Sequence, residues 1–111
     1  MGKNKIYDTS AIIELVKKKI TRKVSYVSII TVVEYPPALE YTETVLYPIR
    51  RDYLLAVKWQ SELRALGIPL PATDLLIAAQ AVNNNLVLVT RDKHFNILRE
   101  TIAGNLELEV E

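Results

Sequence analysis

Between Leu70 and Phe95 the chain reads LPATDLLIAAQAVNNNLVLVTRDKHF, and no other stretch narrows the possible folds as far. From Thr73 to Val82 the residues are mostly Leu, Ile, Ala and Val, which describes a buried helix. Asn83-Asn84-Asn85 ends it, and an apolar strand follows from Leu86 to Thr90. A strand apolar on both faces belongs in a parallel sheet covered by helices on either side. Yet a lone aspartate stands at each margin, Asp74 and Asp92. Carboxylates in such places are caps or parts of a site.

The rest of the chain repeats the alternation. Lys5-Ile6-Tyr7 reads as a short strand ending at Asp8-Thr9-Ser10, and Ile12, Leu15 and Val16 share one face of a helix from Ala11 to Lys19. Lys23 to Ile30 is a second strand. Thr31 opens a short helix containing Glu34, which Pro36-Pro37 disturb or restart. Thr44 to Ile49 is a third strand, and Asp52 caps a helix whose Ala56, Trp59, Leu63 and Leu66 share a face until Gly67 and Pro69 stop it. Leu106 to Val110 is a fifth strand, on an edge. Residues 1–111 therefore predict a single three-layer α/β/α domain, its central sheet mainly parallel and of four to five strands.

Composition limits the function classes. A chain of 111 residues, 50% hydrophobic and 24% charged, is globular. Its formal charge of +1 advertises no global field for nucleic acid, so any such contact needs a local patch. With no cysteine there is neither a disulfide framework nor a thiolate metal site, which fits a reducing compartment. No signal peptide or membrane span is expected, because the first apolar stretch soon meets Lys17-Lys18-Lys19. Met1-Gly2 opens like a myristoylation signal, but Ile6 stands where Ser or Thr is required. The expectation is a cytoplasmic protein.

Ligands of open parallel sheets bind beyond the carboxyl ends of the strands. Asp8 directly follows the first strand, Asp92 follows the fourth, and Glu34 lies just inside the helix after the second. Asp74 begins the helix that feeds the fourth strand. Each acid also has a local reading. Asp8 or Ser10 caps the first helix, Thr31-Val-Val-Glu34 matches a capping box, Asp74 complements a helix dipole, and Asp92 forms an Asx turn. As a group they resist that explanation, since four converging carboxylates repel one another unless a cation joins them. An all-oxygen set suits a hard divalent ion.

The strings DTSAIIEL, ITVVEY, PATDLLIAAQA and LVTRDKHF resemble, in order and style, those of PIN domains, above all the VapC-like toxins of toxin–antitoxin pairs. The resemblance spans nearly the whole chain. It implies a metal-dependent ribonuclease in which Asp8, Glu34, Asp74 and Asp92 hold one or two Mg²⁺ or Mn²⁺, acting on RNA. Ser10 and Thr90 would support those carboxylates by hydrogen bonds or hold a water. Family habit adds a homodimer and a small antitoxin protein covering the acidic groove. The chain departs from the pattern at His94, where many relatives carry an acid before the Phe, and at Pro36-Pro37, where relatives often continue a helix. Two rival readings use the same residues: a PIN-like binding or assembly module without catalysis, and an RNA-processing nuclease without an antitoxin.

Other residues invite weaker assignments. His94, the only histidine, is a base, a metal ligand or a surface turn residue. Lys17-Lys18-Lys19 with Arg22 and Lys23 either contact phosphates or form a solvated helix end. Arg50, Arg51 and Arg91 are placed nearer the metal edge and are the better candidates for RNA. Tyr35, Tyr41, Tyr47, Tyr53 and Trp59 are spaced too irregularly for one helix face; they suit the core, a subunit interface or stacking on bases.

Overall fold

In the computed structural model, which describes residues 3–111, five strands form one sheet in which every pairing is parallel. Met1 and Gly2, which open the chain like a myristoylation signal, lie outside the described residues. The strands are β1 (Lys5–Tyr7), β2 (Val24–Ser28), β3 (Thr42–Leu46), β4 (Val87–Thr90) and β5 (Leu108–Val110). The helices are α1 (Thr9–Lys17), α2 (Ile29–Glu34), α3 (Arg50–Ala65), α4 (Ala72–Asn83) and α5 (His94–Thr101), with a 3-10 segment over Pro36–Tyr41.

Register explains the two cores. Ile6 pairs with Tyr26 and Leu88, and Tyr7 with Val27 and Val89. Successive side chains leave a strand on opposite faces. Ile6 and Leu88 accordingly join Trp59 and Leu63 of α3, Leu75 and Ile77 of α4, and Phe95 and Leu98 of α5. Tyr7 and Val89 join Ala11 and Ile12 of α1, with Val24, Val27 and Ala38. Helices cover both faces, as the apolar reading of β4 requires.

The strand order is β3-β2-β1-β4-β5. From β1 the chain builds outward through β2 to β3, then returns to place β4 on the other side of β1. The order reverses between β1 and β4; in such sheets the crevice at the carboxyl ends of the strands that flank the reversal is the usual place for a ligand. Asp8 leaves β1 at that point, and Thr90 ends β4.

Several boundaries differ from expectation for local reasons. β2 stops at Ser28, whose Oγ accepts from the Ile30 amide at 3.2 Å and starts α2. Thr31 is therefore inside α2 and buried, Glu34 is the last helical residue, and no capping box joins them. α3 begins two positions before Asp52, which reaches back to accept from the Ile49 amide at 2.8 Å. Leu66 falls beyond the end of α3 and is exposed, while Ala56, Trp59 and Leu63 are buried as one face. α5 follows β4 where no helix is expected, and its Phe95 and Leu98, three residues apart, are both buried. Gly67, at φ 76°, turns the chain out of α3: its amide bonds to Arg64 O and that of Ile68 to Leu63 O. Asn85 does the same for α4 at φ 56°.

Candidate metal centre

Asp8 is the most deeply held carboxylate at the crevice, with 3% of its surface exposed. It caps α1, accepting from the Ala11 amide at 3.0 Å on Oδ1. The same oxygen accepts from Ser10 Oγ at 2.8 Å, and Oδ2 accepts from Thr90 Oγ1 at 2.5 Å. A carboxylate has about four acceptor positions. Three are occupied here, which leaves one on Oδ2 for a further partner. Burial raises the Asp8 pKa; the bonds from Thr90, Ala11 and Ser10 act against that rise, and the charge of Asp92 adds to it. The cap and the site readings of Asp8 are thus compatible.

Thr90 and Ser10 do more than touch Asp8. Thr90 Oγ1 also accepts from the Asp92 amide at 2.9 Å, so the turn after β4 is made by the threonine hydroxyl and not by an aspartate. Ser10 Oγ accepts from the Arg91 amide at 3.0 Å. Both hydroxyls tie the start of α1 to the end of β4, across the switch in strand order.

Asp74 arrives from the other side, in the first turn of α4, a helix that has no side-chain cap of its own. His94 Nε2 stands 2.8 Å from Asp74 Oδ2, and His94 Nδ1 stands 3.4 Å from Asp92 Oδ1. One imidazole thus lies between two carboxylates. Both ring nitrogens act as donors only in the protonated form. Burial raises the Asp74 pKa; His94 opposes the rise, and the charges of Asp92 and Asp8 add to it. The three aspartates consequently share one electrostatic neighbourhood.

One oxygen each from Asp74 and Asp92 and one ring nitrogen from His94 all lie within 4.8 Å of one another. Two ligands of one Ca²⁺, at about 2.3–2.6 Å, are at most about 5 Å apart, and two ligands of one Mg²⁺, at about 2.0–2.1 Å, at most about 4 Å. The donor types suit such an ion, around which the three groups would draw slightly closer, and the one imidazole makes the set slightly softer than the all-carboxylate set expected. Among the described residues neither Asp8 nor Glu34 belongs to that close trio.

Glu34 is exposed, at the end of α2, where Thr9 Oγ1 donates to its Oε1 at 2.7 Å. Thr9 adjoins Asp8 in sequence and also lies 3.3 Å from the Thr31 hydroxyl. This threonine of DTSAIIEL links Glu34 to the start of α1, beside Asp8. The arginines are differently disposed. Arg91 is engaged with Glu14. Arg51 donates to Asn83 O at the far end of α4, nine residues or about 14 Å along that helix from Asp74. Arg50, beside it, is exposed and is likewise not brought to the aspartates. Trp59 is in the core, whereas Tyr47 and Tyr53 are exposed.

No protein-family model matches the chain, and no curated protein matches it by sequence. Solved structures do match in three dimensions. A chain of VapBC-1 from nontypeable Haemophilus influenzae is 25% identical, with a TM-score of 0.72 over 95% of this chain and 96% of that one. A chain of the DNA-bound VapBC from Salmonella typhimurium gives 0.75 at 21% identity, covering 98% of both chains. VapBC-5 from Mycobacterium tuberculosis, a member of the VapBC family of toxin–antitoxin systems, gives 0.72 at 19% identity over 99% and 100%. The chain has the PIN-like α/β fold of these toxin–antitoxin structures, in accord with the VapC-like resemblance of its motifs.

Proposed function

We propose that this PIN-like chain is a divalent-metal-dependent endoribonuclease, the toxin of a VapBC-type pair. The observation that carries the reading is the approach of Asp74, Asp92 and His94 to within 4.8 Å beside buried Asp8, at the crevice between β1 and β4. Asp74 and Asp92 are the principal ligands for one or two Mg²⁺ or Mn²⁺, with the remaining acceptor position of Asp8 Oδ2 as the third. Glu34, oriented by Thr9, serves through a bound water or a second ion. Such an ion would lower the pKa of a bound water and offset charge on the phosphodiester. The chain's own residues prepare that chemistry. Thr90 and Ser10 fix the Asp8 rotamer by donating to both of its oxygens. His94, 2.8 Å from Asp74 and 3.4 Å from Asp92, sets the spacing of those two carboxylates.

Partners follow from apolar surface. α3 exposes Tyr53, Leu54 and Val57, and a shallow cavity of about 210 Å³ between α3 and α4 is lined by Tyr53, Val57, Leu75 and Leu76 among others. That surface suits a second copy of the chain or an antitoxin. No helix is long and apolar enough to cross a membrane among the described residues.

The decisive experiment is an RNA cleavage assay in Mg²⁺ or Mn²⁺, with chelator, Asp8→Asn and Asp74→Asn as controls. Cleavage that stops in all three controls is the expected outcome. Full activity in excess chelator removes the metal mechanism, and metal binding without cleavage of any RNA favours the inert module.

A further inference from the structure

The formal charge of +1 conceals an uneven distribution. Seven of the 14 Lys and Arg residues fall within the first 23 positions, against two acids, Asp8 and Glu14. Folding gathers four of those cations at one place. A polar cavity of about 230 Å³ opens at the amino-terminal ends of β1 and β2, lined by Lys3, Lys5, Arg22 and Lys23 with Tyr7 and Ser25. Lys17, Lys18 and Lys19 stand at the end of α1, just before the loop that enters this edge. Lys3 pairs with Glu107, and Lys5 with Glu109 at 2.7 Å. Among the described residues Arg22 and Lys23 have no ion-pair partner, and both are exposed. Four cations against two carboxylates leave the mouth of the cavity positive.

Part of this has a plain structural cause. Lysines at a helix C-terminus are favoured by the dipole, which accounts for Lys17 to Lys19. It does not account for Lys3, Lys5, Arg22 or Lys23, which belong to strand ends and a loop. The arrangement also carries some repulsion: Glu109 is the main reason that the Lys5 pKa is raised, and the nearby charge of Arg22 works against it. An anion seated between them would relieve that repulsion.

We propose that this edge is a second binding site, which holds the backbone phosphates of an RNA strand through Lys3, Lys5, Arg22 and Lys23. The choice of RNA rests on the nuclease reading above. The site lies opposite the aspartates: five residue steps separate Lys3 from Asp8, roughly 17 Å at strand rise. A cavity lined by four basic side chains suits a polyanion that is touched at several phosphates. A membrane surface is disfavoured, because none of the exposed large apolar side chains lies between positions 3 and 25. The function of the edge is to retain a long RNA while the crevice on the other side engages one phosphodiester.

The test measures fluorescence anisotropy of a labelled single-stranded RNA of about 16 nucleotides in chelator, so that no cleavage intervenes. Arg22→Glu/Lys23→Glu is expected to weaken binding at least about tenfold, and Arg22→Gln/Lys23→Gln to lower the slope of log affinity against log salt by about 1.4, for two phosphates lost on a single strand. Hydrolysis of an RNA dinucleotide, which has a single phosphodiester and cannot occupy both ends, should be unchanged. Parental affinity and slope in the double variants overturn the proposal, as does adsorption to anionic phosphatidylserine vesicles in place of RNA. A parent that binds RNA through Arg22 and Lys23 yet cleaves none in Mg²⁺ or Mn²⁺ sinks the nuclease reading and leaves this site standing.

Discussion

The hydroxyl of Thr90 stands 2.5 Å from Oδ2 of Asp8, joining residues 82 positions apart across the point where the strand order reverses. It also accepts from the Asp92 amide, so one side chain sets both a buried carboxylate and the turn that carries the next acid. Thr90→Val keeps the shape and removes both bonds. It should destabilise the chain by about 1–3 kcal/mol, the range for leaving buried polar groups unpaired. Thr90→Ser should recover most of that loss. Urea denaturation decides it, and a valine variant as stable as the parent refutes the role given to the hydroxyl.

Asp74 tests the difference between a ligand and a helix-end charge. Burial, with Asp92 and Asp8, outweighs His94 and raises its pKa. A raised folded pKa means that the folded state binds more protons. The stability from this group is fully present below the unfolded value of about 3.9 and is lost as pH rises through the higher folded value. Asp8 has the same sign. The metal-free chain should therefore weaken as pH climbs from the ordinary carboxylate value, and Asp74→Asn should flatten that decline. At neutral pH the variant should be at least as stable as the parent without metal and gain less from added Mg²⁺. If Asp74 only complements the α4 dipole, the change costs about 0.3–1 kcal/mol and the metal response is unaltered. Thermal melts in chelator and in Mg²⁺, across acidic to neutral pH, separate the two.

His94 lies between Asp74 and Asp92, in the space that an ion shared by those carboxylates would enter. His94→Gln should therefore change the Mg²⁺ affinity several-fold, whereas a change at the exposed and remote Lys58, Lys58→Gln, should not. Calorimetric titration with Mg²⁺ checks this. Equal affinity in the parent and His94→Gln shows that the imidazole takes no part in the site.

Asp52 is the counter-example among the acids. It is 1% exposed, with Oδ2 accepting from the Ile49 amide and Oδ1 from Asn83 Nδ2, both at 2.8 Å. It fastens the start of α3 to the end of α4 and has no place in the crevice. Asp52→Ala strands two donors and should cost about 2–4 kcal/mol. Residual folded protein should respond to Mg²⁺ as the parent does. An altered metal affinity would show that the far end of α4 is coupled to Asp74.

Much of this protein was determined by local order in the chain. The apolar run of α4 and β4 demands burial on both sides, and that demand alone implies a parallel sheet between helix layers. Asp8 follows β1 directly and Asp92 follows β4 after Arg91 alone, so their presence at one edge was readable from spacing. Gly67 marked the end of α3 because few other residues accept φ 76° without strain. Tertiary structure decided the rest, because hydrogen bonds and charges act through space while periodicity records only neighbours along the chain. No spacing reveals that His94 sits between Asp74 and Asp92, or that Thr9 rather than a capping box secures Glu34. The start of α2 was shifted by Ser28, whose hydroxyl captured the Ile30 amide and ended β2 early. Lys3 and Lys5 come to line one cavity with Arg22 and Lys23 only when β1 pairs with β2. A strand records which of its faces is apolar; which strand lies beside it, and hence which charges meet, is settled when the sheet closes.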